Sequence, residues 1–188
     1  ITPQSPYFHQ PEDCRKILVT GTTGFLGAYL VRELICRQKS EDFTVYCHAR
    51  GATPAAVMNR IEQNMRRFRC WDDSFRKYIV PIPGDLGKPQ LGIERDLYQK
   101  LAGSVDMVIH NGAVLNFILP YRQLKKVNVT GTVEALRFAC TGLVKYFHYI
   151  SSYSVYDNPS YFERRVTEDD PLENPDGYFL GYSETKWV

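Results

Sequence analysis

Lys16-Ile-Leu-Val-Thr-Gly-Thr-Thr-Gly-Phe-Leu-Gly27 is a short β-rich run followed by glycines at positions 21, 24 and 27. Apolar residues then recur at helical spacing as far as Arg37, so a helix is predicted to begin at the glycines. Glycines at this spacing permit a tight turn, a close approach of backbone to a pyrophosphate and close helix packing, and a helix N-terminus attracts phosphate. A plain strand-to-helix turn could carry the same glycines, but their place at the start of a βαβ unit favours a dinucleotide site.

Strand and helix patterns alternate five times along the chain. The predicted strands cover residues 16–20, 43–48, 78–82, 105–110 and 145–151, and the predicted helices cover 25–37, 54–68, 94–101, 121–140 and a segment that begins near 179. This alternation predicts the α/β class, with a doubly wound parallel sheet and helices on both faces, as in the Rossmann fold.

One domain is predicted over residues 15–188, preceded by a linker or disordered N-terminal segment at 1–14. Doubly wound sheets usually have at least one strand beyond the fifth, and the last predicted helix is too short to be stable alone. We therefore expect the domain to be incomplete at the C-terminus, truncated before a C-terminal substrate-binding part.

Composition and charge exclude several classes of protein. Hydrophobic residues make up 44% and charged residues 23% of the chain, as in ordinary globular domains. The formal net charge of +2 is too small to argue for a nucleic-acid or anionic membrane partner, and no apolar run approaches the ~18 residues of a membrane span. The five cysteines form no C-x-x-C pair and the four histidines are dispersed, so no metal site is predicted. Scattered reduced cysteines favour a cytoplasmic location.

The end of the second predicted strand indicates which dinucleotide is bound. NAD sites usually place a carboxylate there for the ribose 2′-hydroxyl, whereas NADP sites place an Arg near the 2′-phosphate. This strand ends without a carboxylate, at Arg50, and Arg60 on the next helix is a second candidate. Both favour NADP(H), although surface arginines without a ligand would look the same. Asp85 is placed to meet the adenine edge, and Asn111-Gly112-Ala113 would lie against the nicotinamide ribose; ordinary turn residues would also look like this.

The catalytic candidates are Ser152, Tyr182 and Lys186. Tyr182 and Lys186 are four residues apart on one predicted helix, so both project from one face. The Lys186 cation is expected to lower a phenol pKa that is ~10 when unperturbed and to hold the nicotinamide ribose hydroxyls. Tyr182 would then donate a proton to a carbonyl oxygen as hydride arrives, and Ser152 would hydrogen-bond the same oxygen.

Taken together, these motifs resemble the extended short-chain dehydrogenases/reductases, and more narrowly the thioester reductases. These are the terminal reductase domains of nonribosomal peptide and polyketide synthases, with relatives in carboxylic acid reductases and α-aminoadipate reductase. The resemblance covers about Lys16 to Val188. It is carried by Val105-Asp-Met-Val-Ile-His-Asn-Gly-Ala-Val-Leu-Asn-Phe117, Pro120-Tyr121, Asn128-Val-Thr-Gly-Thr132, Thr20-Gly-Thr-Thr-Gly-Phe-Leu-Gly27 and Gly84-Asp-Leu86.

The resemblance implies roles for individual residues. Ser152, Tyr182 and Lys186 would form the catalytic triad; family members usually have Thr in place of Ser152, and the hydroxyl is retained. Leu115 to Pro120 would border the substrate channel. The cofactor NADPH would be bound by the glycine loop, the 2′-phosphate arginines, the strand-end residues and two of the triad, namely Gly21, Thr22, Thr23, Gly24, Phe25, Leu26, Gly27, Arg50, Arg60, Asp85, Leu86, Asn111, Gly112, Ala113, Tyr182 and Lys186.

The activity that the resemblance implies is reductive release of an acyl or peptidyl chain held as a thioester on the phosphopantetheine arm of a carrier protein. Hydride from NADPH reaches the thioester carbon, Tyr182 protonates the oxygen, and the hemithioacetal collapses to an aldehyde and a free thiol; a second round would give the alcohol. The domain would be part of a larger multidomain synthase of secondary metabolism, with no nucleic-acid or membrane partner.

Three alternatives stay open. A redox-silent relative would release its product by Dieckmann-type cyclisation, but such domains tend to lose the catalytic Tyr, and Tyr182 is present. A non-catalytic NADP-binding module would not need Ser152, Tyr182 and Lys186 together. A sugar-nucleotide epimerase or dehydratase shares the triad, yet the stretch from Asn111 to Tyr121 and Arg50 fit it poorly.

Overall fold

The computed structural model of the chain describes residues 1–3, 10–172 and 176–188. At its centre lies a five-stranded sheet in the order β3-β2-β1-β4-β5, in which all neighbouring strands are parallel. The strands are β1 (Lys16–Thr20), β2 (Thr44–Ala49), β3 (Ile79–Pro83), β4 (Met107–His110) and β5 (Tyr146–Tyr149). The predicted doubly wound parallel fold is confirmed.

Six α-helices are assigned within the described residues: α1 (Phe25–Arg37), α2 (Pro54–Arg67), α3 (Arg95–Ala102), α4 (Tyr121–Lys125), α5 (Gly131–Cys140) and α6 (Gly181–Trp187). Short 3₁₀ turns cover Pro11–Asp13, Asp73–Tyr78, Pro89–Gly92, Tyr153–Tyr156 and Pro159–Tyr161. The starts of α2 and α3 follow ordinary capping chemistry. The Thr53 hydroxyl accepts the Ala56 N–H at the start of α2, and the Glu94 carboxylate accepts the N–H groups of Asp96 and Leu97 at the start of α3.

Both faces of the sheet are buried, because side chains alternate along each strand. Ile17 and Val19 in β1 belong to the core under α1 and α2, where Val31 and Ile61 are fully buried. Leu18, between them, belongs to the opposite core with residues of α3 and α5. The alternation explains why the strands are apolar throughout.

The topology places a crevice beside β1. Strands β2 and β3 continue outward on one side of β1, and the chain then crosses back to β4 on the other side. At such a switch point the loops leaving neighbouring strands diverge, and ligands bind at the carboxyl ends of the strands. The loops after all five strands therefore meet at one edge.

The predicted helix at 121–140 differs from the structure in one respect. A π-helical segment, Lys126–Thr130, separates α4 from α5. Apolar spacing alone does not reveal such a segment, because it changes the helical period by a single residue. Segments of this kind are common at functional sites.

Several element boundaries also differ from the predictions by one or two residues. Strand β5 is shorter than residues 145–151, and α6 begins at Gly181 rather than near 179. Within the predicted N-terminal linker, Pro11–Asp13 forms a 3₁₀ turn and Cys14 packs into the core. Residues 4–9 of that segment lie outside the described residues. None of the described helices combines the length and apolarity that crossing a membrane requires.

Candidate active site

A cavity of about 560 Å³ opens at the carboxyl ends of the strands, a size and position typical of a cofactor site. Its lining comes from the β1–α1 loop, the ends of β2 and β3, the loop after β4, the π segment, the end of β5 and α6: Gly21, Thr23, Gly24, Phe25, Leu26, His48, Ala49, Arg50, Asp85, Leu86, Asn111, Gly112, Ala113, Val114, Leu115, Val127, Ile150, Ser151, Ser152, Tyr182 and Lys186.

The glycine loop forms one wall of the cavity. Gly21 has φ 72°, and a Cβ there would lie 2.8 Å from the Gly112 backbone. A Cβ at Gly27 would lie 2.1 Å from the Gly21 carbonyl oxygen, so the missing side chain lets α1 pack directly on the loop. Among the described residues no side chain caps the first turn of α1, which leaves its N–H groups available to an anion.

Two predicted loop residues do not line the cavity. Thr22 is fully buried, and its hydroxyl donates to the His48 carbonyl at 3.3 Å, so it ties the glycine loop to β2. Gly27 acts through packing, as just described. Thr23, Gly24, Phe25 and Leu26 do line the cavity.

At the β2 and β3 end, Arg50, Asp85 and Leu86 line the cavity as predicted, and Arg50 is exposed. Arg60 is not among the lining residues; its guanidinium donates to the Arg50 carbonyl. It therefore supports the strand end that carries Arg50. The Asp85 carboxylate accepts the Gly87 N–H at 2.9 Å, which holds the side chain in a local turn.

Two buried histidines stand behind this wall. His48 lines the cavity and donates from Nε2 to the Leu91 carbonyl at 2.8 Å; burial lowers its pKa. His110 bonds Thr20 Oγ1 through Nδ1 at 2.9 Å and Thr132 Oγ1 through Nε2 at 3.1 Å. Burial, followed by the charge of Lys186, lowers the His110 pKa to about 4. Both rings are neutral structural groups, and the described residues contain no His, Cys, Asp and Glu cluster suited to a metal ion.

The loop after β4 is held by a side chain that we did not predict as a site residue. Asn128, in the π segment and only 2% exposed, accepts the Val114 N–H at 2.7 Å and donates to the Val114 carbonyl at 3.1 Å. The same amide donates to Thr185 Oγ1 at 3.0 Å, and Thr185 donates to the Tyr182 carbonyl at 2.7 Å. One buried amide thus joins the cavity wall to α6.

Other contacts fix α6, which is too short to be stable alone. A Cβ at Gly181 would lie 2.4 Å from the Tyr121 backbone nitrogen, so the helix begins against α4. Ser183 donates to Asp157 at 2.9 Å and the Trp187 indole donates to the Leu172 carbonyl at 3.0 Å.

The predicted catalytic residues meet at the β5 end of the cavity. Tyr182 is 8% exposed and Lys186 is 9% exposed. Lys186 Nζ donates to the Ile150 carbonyl at 2.9 Å and lies 4.5 Å from the centroid of the Tyr149 ring and 6.0 Å from that of Tyr182. Ser152 accepts the Ser154 N–H at 3.1 Å and hydrogen-bonds Tyr182.

The electrostatics of Tyr182 differ from the prediction. We expected Lys186 to lower the phenol pKa; instead burial raises the pKa of Tyr182, offset in part by the hydrogen bond with Ser152. Burial also lowers the pKa of Lys186 to about 8. The phenol is therefore protonated at neutral pH and suited to donate a proton rather than to accept one.

Residues 115–120, predicted to border a substrate channel, take different positions in the structure. Leu115 lines the cavity, and the Phe117 ring meets Tyr182 edge to face with centroids 6.0 Å apart. Ile118 points away, with 92% of its surface exposed. The apolar wall beside the phenol is thus made by two residues of the predicted six.

Comparison with known proteins agrees with this geometry. Residues 19–188 match a family of NAD-binding domains described as "Male sterility protein". The chain is 35% identical to a linear gramicidin synthase of Brevibacillus parabrevis over 189 residues, which is 100% of this chain and 4% of that protein. It is also 35% identical to the L-2-aminoadipate reductase large subunit of Penicillium chrysogenum, covering 92% of this chain and 13% of the relative.

Solved structures give the same result. The terminal R domain from the myxalamid PKS-NRPS pathway superposes with a TM-score of 0.85 at 38% identity, covering 100% of this chain and 45% of that one. The reductase domain of a nonribosomal peptide synthetase from Mycobacterium tuberculosis gives 0.72 at 30% identity, covering 100% and 44%. The chain spans less than half the length of these reductase domains. The chain therefore belongs to the NAD-binding family of reductases within the extended short-chain dehydrogenases/reductases, together with the terminal reductase domains of nonribosomal peptide and polyketide synthases and L-2-aminoadipate reductase.

Proposed function

We propose that the chain is the NADPH-binding and catalytic part of a thioester reductase that releases an acyl or peptidyl chain from a carrier protein as an aldehyde. The observation that carries the proposal is that the two ends of the cavity carry different kinds of residue. Arg50 lies at its β2 and β3 end, the glycine loop follows the central strand β1, and the β5 end carries Ser152, Tyr182 and Lys186.

The residues present fit an NADP cofactor. Gly21, Gly27 and Gly112 let the loops after β1 and β4 and the start of α1 pack closely, because a Cβ at each would overlap a neighbouring atom, and the backbone of Gly21 and Gly112 lines the cavity. The uncapped first turn of α1 suits the phosphates. The β2 end offers the cation Arg50 where NAD-selective sites place a carboxylate.

The glycine loop and Arg50 would hold NADPH, which when bound would supply a hydride for the thioester carbon. Tyr182, protonated because burial raises its pKa, donates its proton to the thioester oxygen, and Ser152 supports the phenol by hydrogen bonding. Lys186, anchored on the Ile150 carbonyl, places a positive charge behind the phenol that stabilises the phenolate left by proton transfer. The resulting hemithioacetal loses the carrier thiol and leaves the aldehyde. A second reduction to the alcohol requires that the aldehyde be retained in the cavity.

The partner proposed for this site is a carrier protein bearing a phosphopantetheine thioester, within a multidomain synthase. The relatives support it, since the linear gramicidin synthase and the myxalamid R domain belong to assembly-line systems. The apolar side chains Leu115 and Phe117 beside Tyr182 suit the acyl end of such a substrate.

The test is the reaction of the full-length protein with a carrier-bound acyl thioester, following NADPH absorbance and trapping the aldehyde with a hydroxylamine reagent. Tyr182→Phe should lower turnover by ~10²–10⁴ because it removes the general acid, with little change in NADPH affinity. Tyr153→Phe is the matched control, since Tyr153 is 89% exposed and does not line the cavity. Release of product without NADPH oxidation would refute the proposal and favour a cyclising, redox-silent domain.

A further inference from the structure

A turn after β3 has an uncommon backbone conformation. Gln90, Leu91 and Gly92 are three consecutive left-handed residues, with φ values of 54°, 58° and 63°. Non-glycine residues rarely adopt this region, and two in succession are rarer still because each Cβ crowds its own carbonyl. Conformations of this kind persist only where the surrounding structure imposes them, and they cluster at functional sites.

The turn presents one carbonyl to two residues of the cavity wall. The Leu91 carbonyl oxygen accepts the Asp85 N–H at 2.7 Å and His48 Nε2 at 2.8 Å. His48 lies in β2, Asp85 follows the neighbouring β3, and both line the β2 and β3 end of the cavity. Since the direction of a carbonyl is set by the dihedral angles on either side of it, both hydrogen bonds depend on the left-handed conformation of Leu91 and Gly92.

The turn is held in place from α5. Glu134 is 7% exposed, and its carboxylate accepts the Gln90 N–H at 2.7 Å while its other oxygen pairs with Arg137. The Leu91 side chain is fully buried in the core shared by α3 and α5. Glu134 therefore holds the backbone at the residue where the left-handed run begins.

The glycines around the turn leave little freedom for adjustment. A Cβ at Gly84 would lie 2.6 Å from the Leu91 carbonyl oxygen, and one at Gly92 would lie 2.6 Å from the Asp85 nitrogen. A shift of the turn is therefore transmitted to Asp85 directly. The turn and the cavity wall behave as one packed unit.

We propose that Glu134 is a positioning residue for the adenosine half of the cofactor. By holding Gln90 in the left-handed region it fixes the Leu91 carbonyl, which places Asp85 and His48 at the adenosine end of the cavity. The inference rests on the proposed function, because it assumes that this end receives the adenosine 2′-phosphate moiety.

The test is calorimetric titration of the full-length protein with adenosine 2′,5′-diphosphate, which carries the adenosine and 2′-phosphate but no nicotinamide. Glu134→Ala should weaken binding about tenfold, the effect of losing one hydrogen bond of moderate strength. Glu134→Gln keeps an oxygen acceptor for the Gln90 N–H and should bind within about twofold of the unchanged protein. Leu97→Ala removes packing in the same core away from the turn and should lower thermal stability without changing this affinity.

A double substitution separates positioning from general destabilisation. Glycine adopts the left-handed region without strain, so Gln90→Gly should restore most of the affinity that Glu134→Ala removes. Failure of Gln90→Gly to restore binding, or equal weakening by Leu97→Ala, would overturn the proposal. If the unchanged protein binds NADPH and Glu134→Ala binds adenosine 2′,5′-diphosphate as tightly as the unchanged protein does, the role of Glu134 is refuted and the proposed function stands. If the unchanged protein binds neither, the proposed function falls and this inference with it.

Discussion

Replacing Asn128 tests whether its hydrogen bonds hold α6, the helix that carries Tyr182 and Lys186. Asn128→Ala removes three hydrogen bonds, to the Val114 N–H, the Val114 carbonyl and Thr185 Oγ1. Each is worth about 0.5–1.5 kcal/mol net, so the cost is about 2–4 kcal/mol. Water can reach Val114 because it lines the cavity, which keeps the cost below that of three fully buried losses. The lost free energy is that which holds α6 and the loop after β4 in place.

Hydrogen exchange measured by mass spectrometry shows which part of the protein loses this stabilising free energy. If the lost free energy opens α6 locally, exchange of its amides should accelerate roughly 30- to 700-fold, since each 1.4 kcal/mol is a factor of ten. Peptides from α1 and α2 should not change. Asn59→Ala is the control, because Asn59 is exposed on α2.

Asn128→Asp should make the stability of the protein depend on pH. Its carboxylate can accept the Val114 N–H but faces the Val114 carbonyl, so we expect this variant to be at least as unstable as Asn128→Ala at neutral pH. A buried carboxylate without a cationic partner has a raised pKa. Relative to the unchanged protein, its stability should therefore be recovered as the pH falls from neutral toward about 4. Unchanged exchange of α6 in Asn128→Ala, or normal stability of Asn128→Asp at pH 7, would refute the reasoning.

Three further predictions concern the cofactor site and the fold. Arg50→Ala should weaken the binding of NADPH by about 10- to 100-fold and that of NADH much less, because it removes the proposed charge-assisted bond to the 2′-phosphate. If calorimetry shows a selective loss of NADPH affinity in Arg60→Ala instead, the 2′-phosphate is assigned to Arg60. Gly27→Ala should abolish measurable NADPH binding, since its Cβ would lie 2.1 Å from the Gly21 oxygen, whereas Gly103→Ala, with no neighbour nearer than 3.7 Å, should bind normally. Lys145 donates to the carbonyls of Ala102 and Thr141, and burial lowers its pKa from 10.5 to about 8. Between these values only the unfolded chain retains the proton, so urea unfolding should show the unchanged protein gaining stability relative to Lys145→Met as the pH rises; a relative loss would contradict this.

The fold was predictable because its signals are local. Each strand is a short apolar run, and each long helix carries its own period and start signal, such as Thr53-Pro54 before α2. The glycines at 21, 24 and 27 mark the first crossover, and a parallel sheet with this connectivity brings the ends of all five strands to one edge. Residues at those ends, including Arg50, Asp85 and Ser152, therefore line the cavity, and their roles in binding and catalysis stay predictions.

What sequence could not supply are the contacts between distant elements. Asn128 lies in the π segment and holds Val114 in the loop after β4; the sequence signal was the motif at 128–132, which gave no role for the amide. The left-handed conformation of Gln90 and Leu91 has no local signature, because neither is glycine. The raised pKa of Tyr182 depends on burial, which a spacing of four residues to Lys186 does not report.

These contacts originate from one continuous helical stretch. Asn128 reaches the loop after β4 and α6, Thr132 accepts from His110 behind β4, and Glu134 reaches the turn behind β3. A Cβ at Gly131 would lie 2.8 Å from the Leu86 carbonyl oxygen, so this helix lies directly beneath the cavity wall. The catalytic end and the proposed adenosine end are thus supported by different residues of the same helix, which share no hydrogen-bonding partner among the described contacts. The π segment carries Asn128 and the regular α5 carries Glu134, so the change in helical period falls between the residues that support the two ends of the cavity.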